Sequence, residues 1–230
     1  MTIEHLLDHK YREIAHSGIS ALTSGKEYID AHLQLPDSDR RMGLTLLVTL
    51  EGEVLNHFCA VHQKLQPIEP YQYYYPTSDI HLTVMDLIGA KEDLRLDRKL
   101  IQSYMNIFDE VLSQTPSFNV YFKGVAVSNG AVIAKGYYDQ PLYQLRNSIR
   151  QKAKERKLLL EERYESFTAH ATIVRFKDRM RRHGEFINSV KSMEALNMGK
   201  FRVKEIEFVY HDWYNIEYKK VLLGKYTLKS

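Results

Sequence analysis

Apolar residues recur at Ile3, Leu6, Leu7, Tyr11 and Ile14, a spacing that predicts an amphipathic helix over residues 3–16. Gly18 and Gly25 interrupt it, and a second short helix is expected over 26–33. Pro36-Asp37-Ser38-Asp39 reads as a loop. The period then changes. Leu44 to Leu50 is a mostly apolar run between Gly43 and Glu51-Gly52, which reads as a strand. Val54, Phe58, Val61 and Leu65 restore a helical stripe over 53–65, closed by Pro67 and Pro70. Tyr71 to Tyr75 is aromatic and extended, and a strand follows over about 78–88. Leu100, Tyr104, Phe108 and Val111 mark a helix over 97–113.

The pattern then starts again after Pro116. Phe118, Val120 and Phe122 alternate as in a strand. Ser128-Asn129-Gly130 is a hairpin turn, because Asn-Gly accepts the positive φ such turns need, and Ala131 to Tyr137 returns. Leu142, Leu145 and Ile149 face inward on a helix over 141–157. A strand is expected over about 167–176 and a helix over about 180–196. Two last strands, about 201–210 and 217–228, read as a hairpin across Asp212 to Asn215. Both halves thus carry strand, helix, strand, helix, and the simplest reading is an internal duplication. One domain is expected: a helical extension over 1–40, a first lobe over 41–115 and a second over 116–230.

Composition narrows the class without choosing a function. With 230 residues, 44% of them hydrophobic, the chain can bury a sizeable core. The net charge of +3 demands no polyanionic partner. A single cysteine, Cys59, rules out an intrachain disulfide, and it reads as a packing residue. No run of about 18 apolar residues is present, so no membrane span is expected. Met1-Thr2-Ile3-Glu4-His5 lacks the charge-then-apolar order of a signal peptide, and a cytoplasmic protein is expected. His5 and His9 have metal-ligand spacing on a helix but no third ligand nearby, so they read as a solvated face.

The chemistry sits in the two repeated strands. One reads Ser78-Asp79-Ile80-His81-Leu82-Thr83-Val84, the other Phe167-Thr168-Ala169-His170-Ala171-Thr172-Ile173-Val174. Each is His-x-Thr followed by two apolar residues, and each histidine comes six residues after a tyrosine, Tyr75 and Tyr164. On a strand, residues i and i+2 share a face, so His81 and Thr83 point one way while Leu82 and Val84 point the other. The same holds for His170 and Thr172. Two such strands related by a pseudo-twofold bring two imidazoles and two hydroxyls into one cleft. That set suits phosphodiester chemistry without a metal. One imidazole takes a proton from the attacking oxygen and the other gives one to the leaving oxygen, each role worth roughly 10²–10⁴-fold. The threonine hydroxyls hold the phosphate oxygens. No Gly-rich phosphate loop, serine elbow or zinc-spaced cluster competes.

These two motifs resemble those of the 2H phosphoesterase superfamily, which includes 2′-5′ RNA ligase-like proteins and cyclic nucleotide phosphodiesterases. The resemblance covers about residues 43–228. It extends to Asp39-Arg40-Arg41-Met42-Gly43-Leu44-Thr45-Leu46, Gln72-Tyr73-Tyr74-Tyr75-Pro76 and His211-Asp212-Trp213-Tyr214, which are similar to one bacterial branch. It implies a bilobal α+β fold: two antiparallel sheets flank a central cleft, with helices outside. It implies His81 and His170 as acid and base, Thr83 and Thr172 as phosphate holders, and neither a metal nor a nucleotide cofactor. The expected partner is a nucleotide or RNA-end substrate. Tyr73, Tyr75, Trp213 and Tyr214 are candidates to stack on a base, and Arg41 to bind phosphate. Basic residues from Arg146 to Lys157 and from Arg175 to Arg182 form either a phosphate-tracking surface or a solvated face interleaved with Glu155, Glu161 and Glu162. The primary expectation is hydrolysis of a cyclic phosphate or 2′-5′ linkage. The alternatives are an RNA 2′-5′ ligase running the same chemistry backwards and a non-catalytic RNA-end or nucleotide binding module.

Overall fold

The computed structural model describes residues 2–162 and 165–230, in which five α-helices pack on one antiparallel sheet. The first half contains α1 (Ile3–Thr23), β1 (Met42–Thr49), α2 (Glu53–Leu65), β2 (Tyr73–Tyr74), β3 (His81–Lys91) and α3 (Arg98–Leu112). There follow β4 (Phe118–Val127), β5 (Ala131–Tyr138), α4 (Gln140–Glu155), β6 (Ala171–Arg175) and α5 (His183–Ser192). The chain ends with β7 (Asn197–Val203), β8 (Glu205–Asp212) and β9 (Val221–Thr227). Tyr164, the tyrosine before the second motif, lies outside the described residues.

The strand order is β7-β4-β5-β6-β3-β1-β8-β9, with β2 added beside β6. The two expected sheets are therefore joined into one, at a seam where β3 and β6 share a single ladder pair, Leu82 with Ala171. The duplication is visible as β1-α2-β3-α3 against β5-α4-β6-α5. One boundary drawn from chain order needs correcting. The hairpin β8–β9 belongs beside β1 in the first half, not with the second lobe. Residues 43–48 of β1 are buried on both faces, so β1 is an interior strand that needs a partner on each edge. β3 supplies one and β8 the other, as β6 and β4 do for β5.

The helices cross over. α2 packs against β6, β7 and α5, with Phe58 edge-on to Phe122 at 5.2 Å, while α4 packs on α3 and β3. Each crossover helix thus rests on the other half's strands, which ties the halves into one core. Leu82, Val84, Ala171 and Ile173, the apolar backs of the two motifs, are fully buried in it.

The N-terminal segment departs from its expected form. α1 continues through Gly18 to Thr23. A Cβ at Gly18 would lie 2.2 Å from the Val127 carbonyl oxygen, so this glycine permits close helix–strand contact and does not end the helix. Residues 26–33 are not a helix. Tyr28 and Asp30 spend their backbone N–H groups on Asn129 and Phe176 carbonyls across the sheet edge, leaving only a short 3-10 turn at Ala31–Gln34. The segment so carries the chain from the second half to β1 in the first. Among the described residues, no helix is long and apolar enough to cross a membrane.

Candidate active site

Continuing the Leu82–Ala171 register sets His81 across from Thr172 and Thr83 across from His170, all on one face. Each imidazole therefore neighbours the other strand's hydroxyl. All four side chains are partly exposed, and neither threonine hydroxyl has a protein partner among the described residues. Two further cavities, of about 450 and 500 Å³, lie elsewhere, one under α1 and one beside Pro70–Tyr74.

Beyond the motifs, both strands carry a bulge at the same place. Leu47 pairs with Thr83 and Leu46 with Met85, so Val84 is the extra residue of β3. Ile133 pairs with Thr172 and Val132 with Val174, so Ile173 is the extra residue of β6. A bulge shifts the side-chain phase by one residue. It returns Asp86 and Arg175, each five residues after its histidine, to the cleft face. Strict alternation assigns both to the opposite face, which is why the sequence pattern does not single them out. Their common offset in the two copies was the available signal.

Hydrogen bonds orient both imidazoles. His81 Nδ1 lies 2.9 Å from the Asp79 carbonyl oxygen. A carbonyl only accepts, so Nδ1 carries the proton and the neutral ring presents an unprotonated Nε2. His170 Nδ1 shares a 2.8 Å hydrogen bond with Thr168 Oγ1. Burial pushes the His81 pKa down to about 4; the Asp79 bond opposes this, and Lys220 and Arg175 reinforce it. His170 is pushed to about 4 by burial, then by His81, Arg146 and Arg175. A third imidazole, His211 on β8, stands edge-on to His81 at 5.9 Å, and burial takes it to about 3. All three are neutral at pH 7 in the ligand-free protein. An anion between them reverses the balance, because negative charge favours the protonated form.

Arg175 donates Nε–H to Tyr75 Oη at 3.2 Å, and its Nη groups have no hydrogen-bond partner among the described residues. Trp213 lies between two guanidiniums, Arg41 and Arg175, each 5.4 Å from its ring centre. The other sequence candidates take supporting positions. Arg41 is committed to Asp39 through Nε and Nη2 and donates from Nη2 to Tyr214 Oη, so two of its three nitrogens are already engaged. Tyr75 is 3% exposed and Tyr214 0%, so neither offers a face for stacking. Tyr73 remains partly exposed, edge-on to Tyr75 at 4.9 Å. Much of the basic run on α4 is already engaged. Arg146 is internal, Arg150 is bound to Glu162, and Lys152 and Arg156 share Glu110.

A family model described as 2'-5' RNA ligase superfamily matches residues 54–215, well over half of the chain. The chain belongs to the 2'-5' RNA ligase superfamily. Among solved structures, a Thermus thermophilus protein aligns at TM-score 0.62 and 17% identity, covering 83% of this chain and 98% of its own. E. coli LigT complexed with ATP aligns at TM-score 0.58 and 15% identity, covering 83% and 99%. LigT complexed with 3'-AMP aligns at 0.57 and 14%, with the same coverage. At these identities the likeness is one of fold. No curated protein sequence gives a significant match. In this superfamily member, α1, β1 and β9 lie outside the matched span.

Proposed function

We propose that this member of the superfamily is a phosphodiesterase that opens 2′,3′-cyclic phosphates on nucleotides or RNA ends. The observation that carries the reading is the diagonal arrangement of His81, Thr83, His170 and Thr172 on one face of the seam. LigT, which shares the fold, has been solved with ATP and with 3'-AMP, which supports a nucleotide as the ligand class.

His81, with Nδ1–H held on a carbonyl, has the tautomer of a base. Its Nε2 takes a proton from water as the water oxygen bonds to phosphorus. His170, protonated once the anionic substrate is bound, gives its proton to the departing ribose oxygen. The product is a ribose phosphate monoester, and the two imidazoles have exchanged charge states. Thr83, Thr172 and Arg175 hold the non-bridging oxygens, where charge-assisted bonds strengthen as charge develops.

The test is hydrolysis of the four 2′,3′-cyclic nucleotides in the presence of a chelator. His81→Ala and His170→Ala are each expected to lose at least 100-fold in kcat. Full activity in either variant, or no turnover by the wild type on cyclic nucleotides and on RNA with a cyclic end, refutes the reading. Joining of that RNA to a 5′-hydroxyl strand, without hydrolysis, would assign the reverse reaction instead.

A further inference from the structure

The seam that carries the histidines is weakly built in backbone terms. β3 and β6 share one ladder pair, and each then bulges away from regular pairing. Something other than the ladder must hold the two motif strands at a fixed spacing. The carbonyls of both extra residues take bonds from outside the β1 and β5 ladders, and a buried carbonyl without a partner is costly.

Arg146, on α4, answers on one side. It is 1% exposed. Its Nε–H donates to the Val84 carbonyl at 2.7 Å and its Nη2 to Thr83 at 3.1 Å, both on the first motif strand. The same Nη2 donates to the Thr168 carbonyl at 2.8 Å, and Nη1 to Phe167 at 2.8 Å, both on the approach to the second motif. One planar guanidinium thus bonds both strands. It forms no ion pair among the described residues, and the Tyr138 ring lies 5.4 Å from it. His62, on α2, answers on the other side. Its Nε2 donates to the Ile173 carbonyl at 2.8 Å, and the backbone N–H of Tyr75 joins it there at 3.0 Å. Val84 and Ile173 are each three residues after their histidine. The two staples are therefore counterparts under the pseudo-twofold, each reaching from one half's crossover helix to the other half's bulge.

We propose that Arg146, with His62 as its counterpart, is the positioning residue of the histidine pair: it fixes the spacing of the motif strands and hence the distance between His81 and His170. The role rests on the function proposed above. Proton transfer at a shared phosphate needs both nitrogens within hydrogen-bond reach, and an error of about 1 Å in such placement costs on the order of 10²-fold. Thr168 links the staple to the chemistry directly. Its carbonyl takes an Arg146 bond while its hydroxyl bonds His170 Nδ1. A lysine at position 146 keeps the charge but cannot span four carbonyls from one plane.

The experiment compares Arg146→Lys, His62→Gln and a control on the exposed side of α4, Lys152→Met, each checked for cooperative thermal unfolding. On a 2′,3′-cyclic nucleotide, Arg146→Lys is expected to lose about 100-fold in kcat with KM within threefold, His62→Gln about tenfold, and the control nothing. A second readout needs no turnover. The imidazole nitrogen resonances of His170 in the substrate-free protein report its Nδ1 bond to Thr168. They are expected to shift in Arg146→Lys and stay fixed in the control. If the wild type hydrolyses nothing, the function fails and the resonances still decide the staple. A folded Arg146→Lys protein with wild-type kcat, or with unmoved His170 resonances, overturns the proposal. Should Arg146→Lys fail to unfold cooperatively, wild-type kcat and unmoved resonances in His62→Gln overturn it instead.

Discussion

Three imidazoles held neutral in one cleft make the protein acid-sensitive, and the size of the effect follows from their pKa values. In the unfolded chain a histidine titrates near 6.5. In the folded protein His81 and His170 titrate near about 4 and His211 near about 3, all because burial disfavours the charged ring. Between pH 6.5 and about 4 the unfolded state therefore binds protons that the folded state refuses. Stability is full above pH 6.5, is lost as pH falls through this window, and loses nothing more to His81 and His170 below about 4. At pH 5, linkage gives about 2 kcal/mol for His211, the most buried of the three, and about 1–2 kcal/mol each for His81 and His170, which border solvent. Together these approach the roughly 5–15 kcal/mol that holds a typical domain folded. Urea unfolding from pH 7.5 to 5 measures the loss directly. The double variant His81→Asn/His170→Asn, which titrates at neither site, is expected to show a flatter pH dependence and to resist urea better than the wild type at pH 5. Inorganic phosphate at pH 5 is expected to restabilise the wild type more than the double variant. Parallel stability curves for the two proteins would refute the assignment of acid sensitivity to the histidine pair.

Other outcomes follow from the same geometry. The acid must be protonated, yet it is neutral in the free protein, so kcat/KM on a cyclic nucleotide is expected to fall as pH rises from 5 to 8, while the basic limb of kcat lies higher because bound phosphate raises the pKa; a kcat/KM rising with pH contradicts it. Arg175→Met removes a charge-assisted phosphate contact worth about 1.5–3 kcal/mol and is expected to raise KM tenfold or more with the fold intact, as read by steady-state kinetics; an unchanged KM rejects that contact. Gly136→Ala would put a Cβ 1.9 Å from the Ala169 carbonyl oxygen, next to His170. Overpacking of that kind costs about 1–3 kcal/mol, so both thermal stability and kcat are expected to drop, and a variant matching the wild type in both disproves the close contact.

The candidate site was legible in the sequence because the proposed chemistry requires particular side chains, and two copies of His-x-Thr in matched contexts are hard to mistake for core packing. Helix and strand periods located most elements for the same reason: burial of one face imposes a period. What the sequence hid is set by backbone bonding that any residue can make. Tyr28 and Asp30 are extended because their N–H groups find carbonyls across the sheet, which residue type does not record. The place of β8 beside β1 depends on which edge is unfilled once the sheet assembles. Arg41 and Tyr214 read as ligand contacts because their types suit ligands, and burial with Asp39 and Asp30 determines what they do instead.

The two bulges show how closely the hidden part and the legible part depend on each other. In a regular strand, alternation would carry residue 86 and residue 175 away from the cleft, leaving the motif strands to line it with two histidines and two threonines only. One extra residue in each strand restores them to the face, and its displaced carbonyl takes a side-chain bond, from Arg146 in one strand and from His62 in the other. The four motif side chains obey the pseudo-twofold, but the restored pair breaks it: a carboxyl stands past Thr83 and a guanidinium past Thr172. A symmetric cleft would accept an asymmetric phosphodiester in either direction with equal energy. Under the proposed reaction, a guanidinium at one end and a carboxyl at the other favour one of those directions, so that one histidine faces the attacking oxygen and the other the leaving one. In the proposed reaction the duplication supplies the paired histidines, and the bulges add to the asymmetry that the Asp79 carbonyl and the Thr168 hydroxyl already give them.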